Sequence, residues 1–209
     1  MTKLYHFTHM DNLNSIIRNG LLSDTETRSQ SLLEVEAGEP AIKERRRGRV
    51  VPVPPGGVVG DYVPFYFGPR SPMLFTVSRG NVASFTGDPH DLVYVCTTLA
   101  RLQQSGAMLV LTDRNAAKAV AEFSIDPVRW FAEDFIDWEL MEQRMWNDVP
   151  GYRDRKERRM AECLVHRAVG WSSVMAVGVF DDERAARVAA ILEGDDAAPT
   201  VLVRPHWYY

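Results

Sequence analysis

One glutamate and the arginines near it are the residues whose types and positions are best suited to chemistry. Glu162 follows a basic segment at residues 153–159 and begins an apolar run at residues 163–165. A carboxylate at the start of a strand, with arginines nearby, can stay ionised and stabilise a developing cation. On spacing alone, however, the simpler interpretation is a surface glutamate in an intrachain salt bridge.

Three further combinations of residues could complete a site around such a carboxylate. Arg46 lies in a second basic segment, residues 43–49, just before the Pro- and Gly-rich stretch 52–57. Residues 62–67 are rich in aromatic side chains, which can stack on a planar ring. In residues 5–9, His and Thr alternate with two aromatic residues, so one face of a strand would be core while the other offers hydrogen-bonding groups.

No general motif assigns a reaction to the chain. It lacks a Gly-x-x-x-x-Gly-Lys phosphate loop, a Gly-x-Gly-x-x-Gly turn after a strand and a His-Glu-x-x-His zinc motif. His6 and His9 are three residues apart, but no third metal ligand is near them in the sequence, so we expect no metal site. Cys96 and Cys163 have no partner at metal or nucleophile spacing and are predicted to be core residues.

The charges of individual segments lead to a different conclusion about binding partners from the net charge of the whole chain. The 209 residues carry a net charge of −4, which by itself argues against nucleic acid as a partner. The segments 43–49 and 153–159 nevertheless hold +4 and +3, so the rest of the chain carries −11. Each basic segment could be a solvated helix face, or the two could form one composite surface that binds phosphates.

The elements that must position these residues alternate irregularly between strands and helices. We predict an α+β fold, with a mostly antiparallel sheet and flanking helices, as a single domain over residues 1–209. Asp11 is predicted to cap a helix over residues 12–18 that Gly20 ends, and Asp181 to cap a helix over 185–192. Further helices are predicted at 41–47, 115–123 and 138–146, and strands at 4–8, 62–67, 72–78, 92–97, 108–111, 163–165, 174–180 and 201–203.

Composition excludes some classes of protein. No apolar run reaches 18 residues, so no membrane span is expected, and the first ten residues do not resemble a signal peptide. Two cysteines cannot build a disulfide framework. We therefore expect a cytoplasmic protein with no membrane partner.

Taken together, ordered blocks of this sequence resemble the DarT family, the toxin half of the DarT–DarG toxin–antitoxin pair. The resemblance covers nearly the whole chain. The blocks are YHFTHMDNLNSIIRNGLL, AIKERRRGRVVPVPPGGVVGDYVPFYFGPRSPML, VLTDRNA, RRMAECLV and the closing HWYY.

This resemblance implies an ADP-ribosyltransferase-like fold, with a split β-sheet core, that transfers ADP-ribose from NAD to a base in single-stranded DNA. Thymine is the expected base. Glu162 and Arg46 match the catalytic residues, and no metal is implied. The residues implied to hold NAD are His6, Phe7, Thr8, Asn14, Leu22 and Arg46. The residues expected to contact DNA, some from the resemblance and some as candidate phosphate or stacking contacts, are Arg45, Arg47, Arg49, Tyr62, Tyr66, Asp113, Arg114 and Asn115.

The resemblance also implies partners and leaves alternatives open. The expected partners are single-stranded DNA and a macrodomain antitoxin that removes the modification, and the expected state is a monomer. The alternatives are the same fold acting on guanine, RNA or protein, and a nucleic-acid-binding module without catalysis.

Overall fold

The computed structural model describes residues 1–32 and 35–209, and its centre is an eight-stranded sheet. The strands are β1 (Lys3–His9), β2 (Leu21–Leu22), β3 (Tyr62–Tyr66), β4 (Leu92–Thr98), β5 (Leu109–Thr112), β6 (Phe123–Ser124), β7 (Glu162–His166), β8 (Ala168–Val169), β9 (Ala176–Val179) and β10 (Thr200–Val203). Across the large sheet the order is β10-β9-β4-β1-β3-β7-β5-β6, while β2 and β8 pair separately. Among the described strands β10 runs parallel to β9, and the other pairings are antiparallel. The predicted α+β class with a mostly antiparallel sheet is confirmed.

Short helices flank the sheet and join its strands. The α-helices are α1 (Leu13–Asn19), α2 (Asp24–Ser29), α3 (Pro40–Gly48), α4 (Pro72–Ser78), α5 (Leu99–Gln104), α6 (Pro127–Trp130), α7 (Trp138–Glu142), α8 (Arg155–Arg158) and α9 (Asp182–Ile191). Single 3-10 turns occupy Met10–Asn12, Val59–Asp61, Pro89–Asp91, Trp171–Ser173 and Pro205–Trp207. None of the helices in the described part of the chain has the length and apolar character needed to cross a membrane.

Alternation along the strands gives the sheet two different faces. On one face, side chains of four central strands join the largest hydrophobic cluster; they include Leu4, Val63, Phe65, Val93, Cys163 and Val165. On the opposite face, which we call the cleft face, two smaller clusters form, one containing Tyr5, Tyr94 and Cys96, the other Tyr62, Val110 and Leu164. Because side chains alternate with a period of two, Tyr66 and Glu162 also point to the cleft face.

Helix ends follow the expected chemistry at several positions. The side chain of Asp181 accepts the Arg184 N–H at 2.9 Å and caps α9, which begins at the next residue. The predicted cap is confirmed. Gly20 ends α1 with φ of 82°, and its N–H donates to Ile16 O at 2.8 Å. Asp11, by contrast, does not cap a helix, because it lies inside the 3-10 turn that precedes α1, where its N–H donates to His9 Nδ1.

Three predicted elements were wrong or too long. Residues 72–78 form α4 and not a strand, since Ser71 Oγ accepts the Leu74 N–H at 3.2 Å and Pro72 suits the first helical turn. The helix predicted at 115–123 is absent: residues 115–122 are turns and irregular chain and residue 123 begins β6, because Asn115 Oδ1 accepts the Ala117 N–H at 2.9 Å and competes with helical bonding. The helix predicted at 138–146 ends at residue 142.

Candidate active site

A cleft of about 220 Å³ opens beside β1 and β3, whose register pairs Tyr5 with Tyr66. Its floor includes β1 and β3, and its walls come from α2, α3 and the segment 35–39. Glu162, the first residue of β7, lies in this cleft. The cleft therefore gathers residues from both the first and the last thirds of the chain.

Glu162 and Arg46 form a buried ion pair. Arg46 Nη1 donates to both carboxylate oxygens of Glu162, at 2.8 Å to Oε1 and 3.0 Å to Oε2. The Glu162 side chain is 1% exposed and that of Arg46 is 13% exposed. The second terminal nitrogen of Arg46, Nη2, is buried with no hydrogen-bond partner among the described residues. This arrangement leaves one donor free beside a fully buried carboxylate.

The positions of both residues follow from local structure. Glu39 caps α3 by accepting the N–H groups of Ala41 and Ile42, and Pro40 occupies the first turn. Arg47 and Lys43 then tie α3 to Asp24 of α2, at 2.6 and 3.0 Å. On the other side, β7 is fixed between β3 and β5, so that Glu162 stands directly opposite Tyr66 on one strand and Thr112 on the other. Thr112 Oγ1 accepts the Glu162 N–H at 3.2 Å.

Burial sets the protonation behaviour of the site. Burial raises the pKa of Glu162, while the charge and hydrogen bonds of Arg46 and a backbone N–H of Ala116 oppose part of that rise. Burial, followed by the charge of Glu162, raises the pKa of Tyr66 well above its usual range. Tyr66 is therefore a neutral phenol at the cleft floor, beside a carboxylate of increased basicity.

The strand predicted to hold NAD contributes a neutral histidine. Burial lowers the pKa of His6 to about 4, so its ring is uncharged near pH 7. His6 Nδ1 lies 2.8 Å from the carbonyl oxygen of Pro64, which requires a proton on Nδ1 and leaves Nε2 as an acceptor. Phe7, Thr8 and Leu22 also line the cleft.

The cleft includes some of the predicted DNA-contacting residues. Tyr62, Tyr66 and Asn115 line it, but Tyr62 is 1% exposed and its hydroxyl donates to Gly56 O. Of the two tyrosines, Tyr66 is thus the one with an accessible ring.

Other predicted residues lie outside the cleft lining. Asn14 is exposed on the outer side of α1, where it faces a separate hollow with Arg18 and Ser31. Arg45 is exposed, and Arg47 is held by Asp24 and Glu44.

Three more of the predicted residues make structural contacts beyond the cleft. Arg49 donates to Ala119 O and lies over the Phe123 ring. Asp113 accepts from the Glu122 N–H and pairs with Arg114, which closes the loop at residues 113–122. Three of the five basic residues of segment 43–49, Lys43, Arg46 and Arg47, are thus ion-paired within the chain.

Sequence reasoning did not identify Asn12 as a cleft residue. Its amide oxygen accepts the Val35 N–H at 3.0 Å, and its Nδ2 donates to Val35 O at 2.9 Å and to Thr8 Oγ1 at 3.0 Å. The buried amide thus fixes the backbone of Val35, which lines the cleft. The only available signal was an Asn at a helix start, which by itself predicts a cap.

Within the described ranges, no group of three or more His, Cys, Asp or Glu side chains is arranged to hold a metal ion. The charged residues that line the cleft are Asp24, Arg28, Glu36, Glu39, Lys43, Arg46 and Glu162, several of them paired with one another.

Comparison with known proteins shows which family this chain belongs to. The family model described as "ssDNA thymidine ADP-ribosyltransferase, DarT" matches residues 5–209. This chain belongs to the DarT family. A DarT relative, the DNA ADP-ribosyl transferase of Thermus sp. (strain 2.9), is 34% identical over 100% of this chain and 96% of that protein.

Solved DarT structures share the whole architecture. Thermus sp. 2.9 DarT in complex with ADP-ribosylated ssDNA superposes with a TM-score of 0.90 at 33% identity, covering 100% of this chain and 96% of that one. The same DarT in complex with NAD+ gives a TM-score of 0.85 at 31% identity, covering 100% and 98%. A further relative, from Thermosipho africanus, is a "DNA ADP-ribosyl transferase-DNA ADP-ribosyl glycohydrolase fusion protein", 27% identical over 89% of this chain and 44% of that protein.

Proposed function

We propose that this chain transfers ADP-ribose from NAD+ to thymine in single-stranded DNA. The observation that carries the proposal is the buried Glu162–Arg46 pair inside a cleft of the DarT fold. The Thermus DarT structures with NAD+ and with ADP-ribosylated ssDNA support both substrates.

Glu162 is proposed to stabilise the charge that develops on NAD+. When the nicotinamide–ribose bond breaks, nicotinamide leaves as a neutral molecule and positive charge develops at the ribose C1′ and ring oxygen. An ionised carboxylate that accepts from the ribose 2′-hydroxyl faces this charge, and in a buried site its effect is stronger than in water. Glu162 supplies a fully buried carboxylate that Arg46 holds in one orientation.

Arg46 is proposed to act on the acceptor. The thymine ring nitrogen forms the new bond to C1′ and loses its proton, so negative charge develops on the base. A guanidinium stays protonated at neutral pH, so it cannot accept a proton as a general base, but it stabilises an anion well. Arg46 Nη2 is the donor available for this, since Nη1 is engaged by Glu162. Glu162, whose pKa burial raises, or a water molecule takes the proton.

Two more of the predicted residues, His6 and Tyr66, have surroundings that fit a role in binding. His6 Nε2 can accept from a hydroxyl of NAD+, because Nδ1 is committed to Pro64 O. Tyr66 offers an aromatic ring opposite Glu162, suited to stacking on the thymine. Single-stranded DNA presents its bases already unpaired, so no duplex needs to be opened.

We further propose that the chain is the toxin of a toxin–antitoxin pair, acting in the cytoplasm as a monomer. One chain supplies both Glu162 and Arg46, so the cleft needs no second subunit. The fusion of a DNA ADP-ribosyl transferase with a DNA ADP-ribosyl glycohydrolase in Thermosipho africanus supports a macrodomain antitoxin as partner. Co-expression with such a glycohydrolase should restore growth, and persistent toxicity would contradict the partner.

The decisive experiment uses mass spectrometry on an oligonucleotide panel after incubation with NAD+. One ADP-ribose on a thymine of single-stranded DNA is the expected product. Modification of guanine, of matched RNA or of protein would show that the acceptor is not thymine in DNA. Release of nicotinamide with no acceptor modified would show that the chain only hydrolyses NAD+.

A further inference from the structure

The helix that carries Arg46 is not held in place by burial in the hydrophobic core. None of the side chains described in α3 is buried, although the helix reaches the cleft through Arg46. Most helices in proteins are placed by packing of an apolar face, and α3 has no such buried face. The direction of Arg46 towards Glu162 therefore depends on the polar contacts that α3 makes.

Asp24 of α2 makes the central polar contact to α3. Arg47 Nε donates to Asp24 Oδ2 at 2.6 Å, Arg47 Nη2 donates to Oδ1 at 3.2 Å, and Lys43 Nζ lies 3.0 Å from Oδ1. The contact to Arg47 is thus bidentate, the arrangement in which a guanidinium is held most firmly. Lys43 and Arg47 are four residues apart and lie on one face of the helix. One carboxylate therefore holds two successive turns of α3, and Arg46 lies between its two partners in the sequence.

The position of Asp24 is itself fixed by its neighbours in the chain. Ser23, the preceding residue, is 1% exposed, and its N–H donates to Arg167 O at 2.8 Å. Thr25, the following residue, donates from Oγ1 to Asp61 Oδ1 at 2.7 Å, in the 3-10 turn that leads into β3. Asp24 is therefore held relative to the sheet, and α3 is held relative to Asp24.

Asp24 keeps its charge at neutral pH. Burial tends to raise its pKa, but the hydrogen bonds and charges of Arg47 and Lys43 hold the pKa of Asp24 below its usual range. The Asp24 side chain is 17% exposed, whereas Glu44, the other carboxylate that contacts Arg47, is 77% exposed. Because solvent screens an exposed pair more than a partly buried one, Asp24 is the stronger partner of Arg47.

We propose that Asp24 is a positioning residue for ADP-ribosyl transfer: by holding Lys43 and Arg47, it keeps Arg46 Nη1 on the carboxylate of Glu162. This inference rests on the proposed function, in which Glu162 and Arg46 act on NAD+ and on thymine. A displacement of about 1 Å at a reacting group can cost about 100-fold in rate, even when its cause is remote from the chemistry. Loss of the Asp24 contacts should therefore slow the chemical step.

The test measures initial rates of oligonucleotide ADP-ribosylation for Asp24→Asn, at varied NAD+ concentration and pH. Asparagine keeps the shape of the side chain but loses the charge that pairs with Lys43 and Arg47. The kcat should fall about 10- to 100-fold, while KM for NAD+ changes by less than about threefold. Asp24 also lines the cleft, and a direct contact with NAD+ would instead raise KM.

The acid limb of kcat/KM separates positioning from a simple loss of charge. The charged or titratable side chains that face Glu162 are Arg46 from α3 and Tyr66 from β3. A displaced Arg46 would stabilise the ionised form of Glu162 less, so the pKa of Glu162 should rise and the limb should move to higher pH. Removal of the negative charge of Asp24 would by itself favour ionised Glu162 and move the limb to lower pH.

Glu44→Gln is the matched control, because it removes the other carboxylate partner of Arg47, 3.1 Å from Nη1 at the surface. Its kcat should stay within about twofold of the unsubstituted protein, and its acid limb should not move.

Arg47→Gln breaks the same contact from the helix side. It should also lower kcat and move the acid limb to higher pH. Combined with Asp24→Asn it should cause no further loss, since both substitutions remove one contact, whereas independent effects would multiply. Thermal melting checks that each variant is folded, and if Asp24→Asn does not fold, the rate and acid limb of Arg47→Gln decide the outcome.

The possible failures are distinguishable. A kcat within about twofold of the unsubstituted protein, or an acid limb that is unchanged or lower, would overturn the inference. A rise in KM for NAD+ with kcat unchanged would also overturn it, because Asp24 would then be a ligand contact. If the unsubstituted protein modifies no DNA base with NAD+, the proposed function itself fails, a result obtained before any variant is compared.

Discussion

Replacing Glu162 with Gln separates the charge of the catalytic carboxylate from its shape. Glutamine fills nearly the same volume and keeps one carbonyl oxygen that can accept from Arg46 Nη1, now 2.8 Å from Oε1. The Glu162 N–H to Thr112 Oγ1 bond is a backbone contact and should survive. The substitution therefore removes a negative charge from a side chain that is 1% exposed while leaving its surroundings in place.

The expected loss follows from the role of that charge. Removing one preorganised electrostatic group from a buried site typically costs roughly 100- to 1000-fold in kcat, about 2.7–4 kcal/mol. The loss should fall on kcat more than on KM for NAD+ or DNA, because the charge is needed only as C1′ becomes cationic. Initial rates of oligonucleotide ADP-ribosylation at varied NAD+ and DNA concentrations give both parameters.

Glu157→Gln provides the matched control. Glu157 lies five residues earlier and pairs with Lys118 at the surface, so its loss should change kcat by less than about threefold. The reasoning is refuted if Glu162→Gln keeps more than a tenth of the wild-type kcat while Glu157→Gln behaves as expected. An equal loss in both variants would indicate a general effect on folding, which thermal melting would detect.

Two further predictions concern the pH profile and the packing under the 67–71 loop. Because activity needs ionised Glu162 and burial raises its pKa, the acid limb of kcat/KM should lie above 4.5, the ordinary glutamate value; Arg46→Gln should move it to still higher pH. A limb at or below 4.5, or one that moves down in Arg46→Gln, contradicts this assignment. Gly68→Ala should destabilise the protein by about 1–3 kcal/mol, since a Cβ there would lie 2.6 Å from Met141 O. The melting temperature should fall by several degrees, whereas Gly48→Ala, with nothing within 4 Å, should not lower it; equal effects would show that packing is not the cause.

Local signals predicted most of the strands, and they failed where capping chemistry was misread. The apolar runs that became β4, β5 and β7 were recognisable because apolar and β-branched residues mark them. Residues 72–78 have the same apolar character, but Ser71 and Pro72 begin a helix there. The loop at residues 113–122 was misread for the opposite reason: helix-favouring alanines outweighed the turn formed by Asn115.

The charge pattern predicted more basic surface than the structure provides. Segment 43–49 contains five basic residues, but Lys43 and Arg47 are paired with carboxylates of other elements, and Arg46 is paired with Glu162. Such pairings join residues far apart in sequence, and spacing carries no information about them. Arg70, a single arginine outside both basic segments, lies over the Tyr209 ring and has no Asp or Glu partner in the described part of the chain.

The sequence by itself determined the class of fold, the residue types available for chemistry and the family to which the ordered blocks belong. Only the tertiary structure decided that Glu162 is a buried partner of Arg46 and not a surface glutamate in a salt bridge. The reason is physical: these residues are separated by 116 positions and meet because β7 inserts between β3 and β5 while α3 is anchored to α2. Burial then sets the pKa of Glu162, and burial is a property of the packed sheet that no local pattern contains.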